Sequence, residues 1–150
     1  MQCDVLNKGL SMLTKLSLSL SEAKQLAAAA QAAADALRTP VSISVVDAST
    51  YAQVLLRMDG APLFSAEGSL DKARSAAEGG HPTTFFEKPL NEGRFSMIKL
   101  PHTPLEGGIP VLIDGQCVGA VGVGGGPPHL DAQIAQTAVD RFLEMRESQP

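Results

Sequence analysis

Few residues in this chain have side chains suited to chemistry, and their spacing limits what they can do. His81, His102 and His129 lie far apart and never at the four-residue helical spacing of a metal pair. His81 follows a double glycine and precedes Pro82, which fixes it on a loop, where an imidazole can move protons or serve as a structural hydrogen-bonding group. His102 is placed similarly. His129 falls in the first turn of a helix, where a solvated role is expected. Glu106 precedes Gly107 and Gly108, so its carboxylate can act as a base or ligand beside freed backbone amides, or bond the adjacent turn. Lys72 can pair with a substrate carboxylate or serve as a desolvated base; the plainer alternative is a solvated helix lysine. Asp47 ends a strand just before a turn, a position at which carboxylates commonly bond turn amides. Gly124-Gly125-Gly126 runs into a helix N-terminus, where amides and the helix dipole attract anions. That run follows a hairpin, which excludes the first βα turn of a dinucleotide fold. No serine nucleophile elbow, paired-cysteine metal motif or phosphate loop is present.

The elements that must position these residues are organised around residues 104–126. Two apolar, β-branched runs flank Asp114-Gly115, and Asp-Gly suits a two-residue type I′ turn, so a hairpin is predicted over about residues 109–123. Both arms are nearly uncharged, which places them in the middle of a sheet. Gly119, Gly122 and Gly124 leave one face bare for a backbone, a helix or a flat ligand. Glycines at both ends of the hairpin imply that those ends are neighbours.

Ser19-Leu20-Ser21-Glu22 has the pattern of a capping box, and the apolar positions Leu20, Ala23, Leu26, Ala27, Ala30, Ala34 and Leu37 then share one helical face until Thr39-Pro40. Residues 41–47 and 51–58 are predicted strands joined by a polar turn. A helix over 66–78 is predicted to turn Leu70, Ala73, Ala76 and Ala77 inward, with Lys72 and Arg74 on other faces. A short helix over 83–90, an irregular loop over 91–103 carrying Arg94, Lys99 and His102, the hairpin and a final helix from Pro127-Pro128 complete the order. Both strand pairs are antiparallel, so the class is α+β with helices packed on a mainly antiparallel sheet. Residues 1–18 are expected to form an arm or short helix through Leu6, Leu10 and Leu13, residues 19–146 a single domain, and residues 147–150 a tail.

A formal net charge of −4 on 150 residues argues against nucleic acid or an anionic membrane as partner. With two cysteines, Cys3 and Cys117, and no apolar run near ~20 residues, a soluble protein of a reducing cytoplasm is expected. Alanine-rich helices and glycine-rich strands bury little surface per residue, which favours a homo-oligomer.

From about Leu18 to Phe142 the chain resembles the haem-degrading domain family typified by GlcG and HbpS, also found as the C-terminal domain of PduO-type proteins. The resemblance lies in Leu20 to Ala23, Val45-Val46-Asp47, Arg57-Met58-Asp59-Gly60-Ala61, Lys72-Ala73-Arg74, Pro82-Thr83, Pro104 to Pro110 and Gly119-Ala120-Val121-Gly122-Val123. It implies a profilin-like sheet of about five strands, compact oligomers, often octamers, and haem binding; where the pattern commonly has Arg before Pro-Thr this chain has His81, and His81 or His102 is the candidate axial ligand. The competing expectations are a cofactor-independent enzyme acting on a small carboxylated intermediate, and a non-catalytic oligomeric accessory protein. In the enzyme reading Lys72 or Arg57 holds the carboxylate while Glu106 and His81 move protons. Asp47, Tyr51, Arg57, Arg94, Gly107, Gly108, Gly124 and Gly125 complete the set of expected ligand contacts.

Overall fold

A computed structural model describes residues 11–148. Helix α1 spans Leu20–Ala36 and opens with the expected capping box, Ser19 and Glu22 each satisfying the other's backbone amide. Strands β1 (Ser42–Asp47) and β2 (Ala52–Arg57) follow, then helices α2 (Ser65–Gly79) and α3 (Thr84–Asn91), and a 3-10 turn over Phe95–Lys99. Strands β3 (Gly108–Ile113) and β4 (Gln116–Gly124) form the hairpin, and α4 (Pro128–Glu147) closes the chain. At the hairpin tip Asp114 and Gly115 both have positive φ, 48° and 77°, as a type I′ turn requires. Leu6 and Leu10 of the expected arm and the last two residues of the tail lie outside the described residues, and residues 11–19 are not helical.

The sheet has the order β2-β1-β4-β3 with every pairing antiparallel, four strands among the described residues where the resemblance implied about five. β4 is central as expected, but β3 lies at the rim. Low charge did not distinguish a central strand from a covered edge: the Thr83 amide donates to the Gly108 carbonyl at 2.9 Å, and Pro110 fits a rim because it has no amide hydrogen to pair.

Side-chain alternation along the strands sorts residues onto two unlike faces. Val41, Ile43, Val45, Ile109, Val111, Val121 and Val123 meet α1 and α4 in one apolar cluster that includes Leu26, Ile134 and Phe142. The opposite face carries Ser42, Ser44, Ala120, Gly122 and Gly124, and α2 lies on it. Small residues there let helix backbone approach strand backbone. A Cβ at Gly122 would strike the Ser69 carbonyl and stand 2.5 Å from the Ala73 nitrogen. The bare face is thus filled by a helix. Gly119 belongs to the other face, where a Cβ would run into Leu18.

Such close approach makes the buried stripe of α2 polar. It consists of Ser65, Ser69, Lys72, Ala73, Ser75 and Ala76, while Leu70 and Ala77 are only partly covered. The apolar pattern had put Lys72 on another face; the structure turns it inward. Hydroxyl pairs Ser42–Ser65 and Ser44–Ser69, both 2.7 Å, satisfy the polar groups between α2 and β1. Among the described residues no helix is long and apolar enough to cross a membrane.

Candidate functional site

Lys72 stands at the centre of the buried polar layer, with its side chain 8% exposed. From α2 it passes beneath Gly107, and its ammonium donates to the Val123 carbonyl and to Asp131 Oδ2, both at 3.0 Å. The other carboxylate oxygen of Asp131 accepts the Gly126 amide at 3.0 Å. Gly107 is obligatory here. Its φ is 127°, and a Cβ would fall 2.9 Å from Lys72 Nζ and 2.6 Å from the Val123 carbonyl oxygen. The Val123 amide donates to the Gly107 carbonyl at 2.9 Å, so the ends of the hairpin meet as the glycine pattern predicted.

Asp131, in the first turn of α4, is 1% exposed, and burial pushes its carboxyl pKa up. Lys72 and the Gly126 amide pull it down, and the nearby charge of Glu106 pushes it up again. The Lys72 ammonium is matched by the Asp131 carboxylate, and the charge of Glu106 nearby adds a second negative group, a setting suited to a proton or a cationic group more than to a carboxylate ligand. Asp131 also occupies the Gly126 amide at the end of the glycine run, a position where amides attract anions. Sequence reasoning missed Asp131. The signal was available, since it lies three and seven residues before Ile134 and Ala138 on the apolar stripe of α4, where a lone charge calls for a buried partner.

Glu106 is half-buried. Its amide donates to Glu87 Oε2 at 2.8 Å, and it lines a cleft of about 310 Å³ with Thr84, Glu87, Lys88, Asn91 and Glu92. Gly108 is held by Thr83, whose Oγ1 accepts its amide at 3.0 Å. Lys72, Glu106, Gly107, Gly108, Gly124 and Gly125 therefore occupy one region around the hairpin base and the start of α2.

The remaining candidates lie apart from that region. Asp47 Oδ1 accepts the amides of Ser49 and Tyr51 at 2.8 and 3.1 Å, bracing the β1–β2 turn, and the Tyr51 side chain is exposed. Arg57 is exposed on the rim strand β2 with Nη1 at 3.4 Å from the Ala61 carbonyl. Arg94 is exposed before the 3-10 turn. His81 is exposed and stacked on Phe85, ring centroids 4.2 Å apart and planes 16° from parallel, and makes no side-chain hydrogen bond among the described residues. His102 is held at both nitrogens. Nδ1 lies 2.8 Å from Asp71 Oδ1 and Nε2 lies 3.2 Å from Glu78 Oε1.

A family model described as haem degrading protein HbpS-like matches residues 18–140, nearly the whole of the sheet and its helices. The chain belongs to this HbpS-like family. Its sequence is 42% identical to protein GlcG of Escherichia coli K12 over 113 residues, covering 75% of this chain and 84% of GlcG. The crystal structure of HbpS superposes with a TM-score of 0.83 at 33% identity, covering 91% of this chain and 98% of that one. The crystal structure of the PduOC:heme complex gives a TM-score of 0.75 at 32% identity, with coverage of 83% and 94%. The α+β fold expected from the sequence is thus that of HbpS. Of the two candidate axial histidines, both ring nitrogens of His102 are engaged by carboxylates, whereas the His81 ring is stacked on Phe85.

Proposed function

We propose that the protein binds haem on an open face, with the His81 imidazole as iron ligand. Membership of the HbpS-like family and the likeness to a chain crystallised as a haem complex support this reading. The observation that carries it to particular residues is the exposed His81 ring, oriented by stacking on Phe85 and free of side-chain hydrogen bonds among the described residues. An imidazole in that state can offer a nitrogen lone pair to haem iron, which would supply redox and ligand-binding chemistry. Phe85, Phe95 and Ile98, 58%, 72% and 64% exposed, lie on the same segment and offer apolar surface, with Arg94 beside them as a cation for a propionate. Clefts of about 190–310 Å³ are too small to enclose a porphyrin, so the macrocycle would lie on a surface or between copies. Assembly as a homo-oligomer belongs to the same proposal, and Leu63 and Phe64, 82% and 76% exposed, support it.

Titration of the protein with hemin, followed in the Soret region, tests the reading. A sharpened band saturating at a stoichiometric ratio is expected, with His81→Ala altering it and His102→Ala leaving it unchanged. Broad, non-saturating spectra indifferent to His81→Ala would overturn it. Light scattering on the same samples should give several subunits, and a clean monomer at micromolar concentration would remove the oligomer.

A second reading rests on the convergence of Lys72, Asp131 and Glu106. That cluster suits proton transfer, with Glu106 as the accessible acid–base group. Its net negative charge favours a neutral or cationic substrate over the carboxylated one expected from the sequence.

A further inference from the structure

The loop after the 3-10 turn lies against α2 over a second constellation that neither the haem reading nor the Lys72 cluster uses. The Thr103 amide donates to Asp71 Oδ2 at 2.8 Å, which fixes the carboxylate, and Asp71 Oδ1 in turn meets His102 Nδ1 at 2.8 Å. In the neutral ring this contact places the proton on Nδ1, because the carboxylate can only accept. His102 Nε2 then presents a lone pair to Glu78 Oε1 at 3.2 Å. Two acceptors face each other, and the contact needs a hydrogen donor, supplied either by a second ring proton or by an N–H group arriving from outside.

That position opens on a cleft of about 190 Å³ lined by Ser75, Gly79, Phe86, Leu100, Pro101 and the Glu78–His102 pair. The lining is largely apolar, and its one hydroxyl is already committed, Ser75 Oγ donating to the Thr103 carbonyl at 2.5 Å. Gly79 lets the Phe86 ring close against α2 as one wall of the cleft, since a Cβ there would collide with that ring. A cavity of about 150 Å³ accommodates one benzene ring, so this cleft has room for a single ring with a short substituent. The charges at its mouth are unequal. Asp71 and Glu78 face one imidazole, so the site is net negative whether the ring is neutral or protonated, and it repels an anion. A divalent metal is a poor match, because the two carboxylates lie on opposite sides of the ring and cannot close on one ion.

We propose that this cleft is a binding site for a small amine, with an aromatic or branched apolar body packed on Phe86, Leu100 and Pro101. Its ammonium sits on the cleft side of the Glu78–His102 contact, within hydrogen-bond reach of Glu78 Oε1 and of Nε2 in the neutral ring. With the ring neutral, the cation supplies a donor to both acceptors, and Asp71 holds the imidazole in the tautomer that can receive it.

Benzylamine, benzyl alcohol and benzoate, titrated separately into the full chain and followed by amide chemical shifts, separate charge from shape. Benzylamine should bind at least about tenfold more tightly than benzyl alcohol, with shifts centred on Gly79, Phe86 and His102, and benzoate should not bind. Glu78 is exposed, so Glu78→Gln should fold normally, abolish the preference for the amine and leave the alcohol unaffected. His102→Gln should weaken the amine as well, because glutamine cannot be held by Asp71 in the same acceptor orientation. Equal affinity for amine and alcohol, an amine preference that survives Glu78→Gln, or shifts centred elsewhere would each overturn the proposal. Hemin titration of Glu78→Gln should match the parent protein, which keeps this site distinct from the one at His81.

Discussion

Replacing Lys72 by methionine keeps the length of the side chain and removes its charge. The ammonium bonds two buried acceptors, and its partner Asp131 is 1% exposed, so the substitution strands a carboxylate where water cannot reach it. Breaking a buried pair from one side costs about 3–5 kcal/mol. For a chain of this length that corresponds to a fall in Tm of about 6–20 °C. The loss should also depend on pH. Burial already raises the pKa of Asp131, and without Lys72 the upward pull is opposed only by the Gly126 amide. A folded pKa above the unfolded value means that the folded state holds the proton more tightly, so stability is greatest below the unfolded value and declines as pH rises through the folded one. Lys72→Met should therefore lie close to the parent near pH 4 and fall well below it by about pH 8. Urea unfolding monitored by circular dichroism at both pH values measures the difference. The double variant Lys72→Met/Asp131→Leu removes both charges and should recover most of the loss, short of about 1–3 kcal/mol for the unpaired Gly126 amide. A cost below about 1 kcal/mol, the range of exposed pairs, or a cost equal at both pH values, would refute the reasoning.

Gly122→Ala should destabilise the fold by at least about 1–3 kcal/mol, the usual cost of overpacking, because the new methyl meets the backbone of α2 at Ser69 and Ala73 and no side chain can yield. Thermal melts measure this, and a Tm unchanged from the parent would show that α2 is not seated as described. Glu106→Gln preserves shape, so if proton transfer is performed there, turnover of a neutral or cationic substrate should drop by about 10²-fold with little change in unfolding midpoint. A retained rate with a lower midpoint would instead make the Glu106 carboxylate a structural group.

Local signals in the sequence were sufficient for α1 to α4 and β1 to β4, though not for the 3-10 turn over Phe95–Lys99, which lies in a stretch expected to be irregular. The Ser19–Glu22 box, the Asp114-Gly115 turn and the Gly79-Gly80 end of α2 each act over a few residues, so their outcomes are set by backbone chemistry that distant contacts do not alter. Family membership was also legible, because the motifs that carry the resemblance, such as Pro104 to Pro110 and Gly119 to Val123, are contiguous strings within the matched residues 18–140. Periodicity failed where packing distance, not hydrophobicity, decides burial. The inward face of α2 is a stripe of serines with one lysine, since a helix resting on glycine and serine leaves no room for larger apolar groups. Only the folded chain could bring Lys72 to Asp131, fifty-nine residues away, or His102 to Asp71 and Glu78. Neither pairing has a local signature. Each is a meeting of surfaces set by the order of the sheet and by the loop before β3, and a buried charge declares its partner only when the layers close.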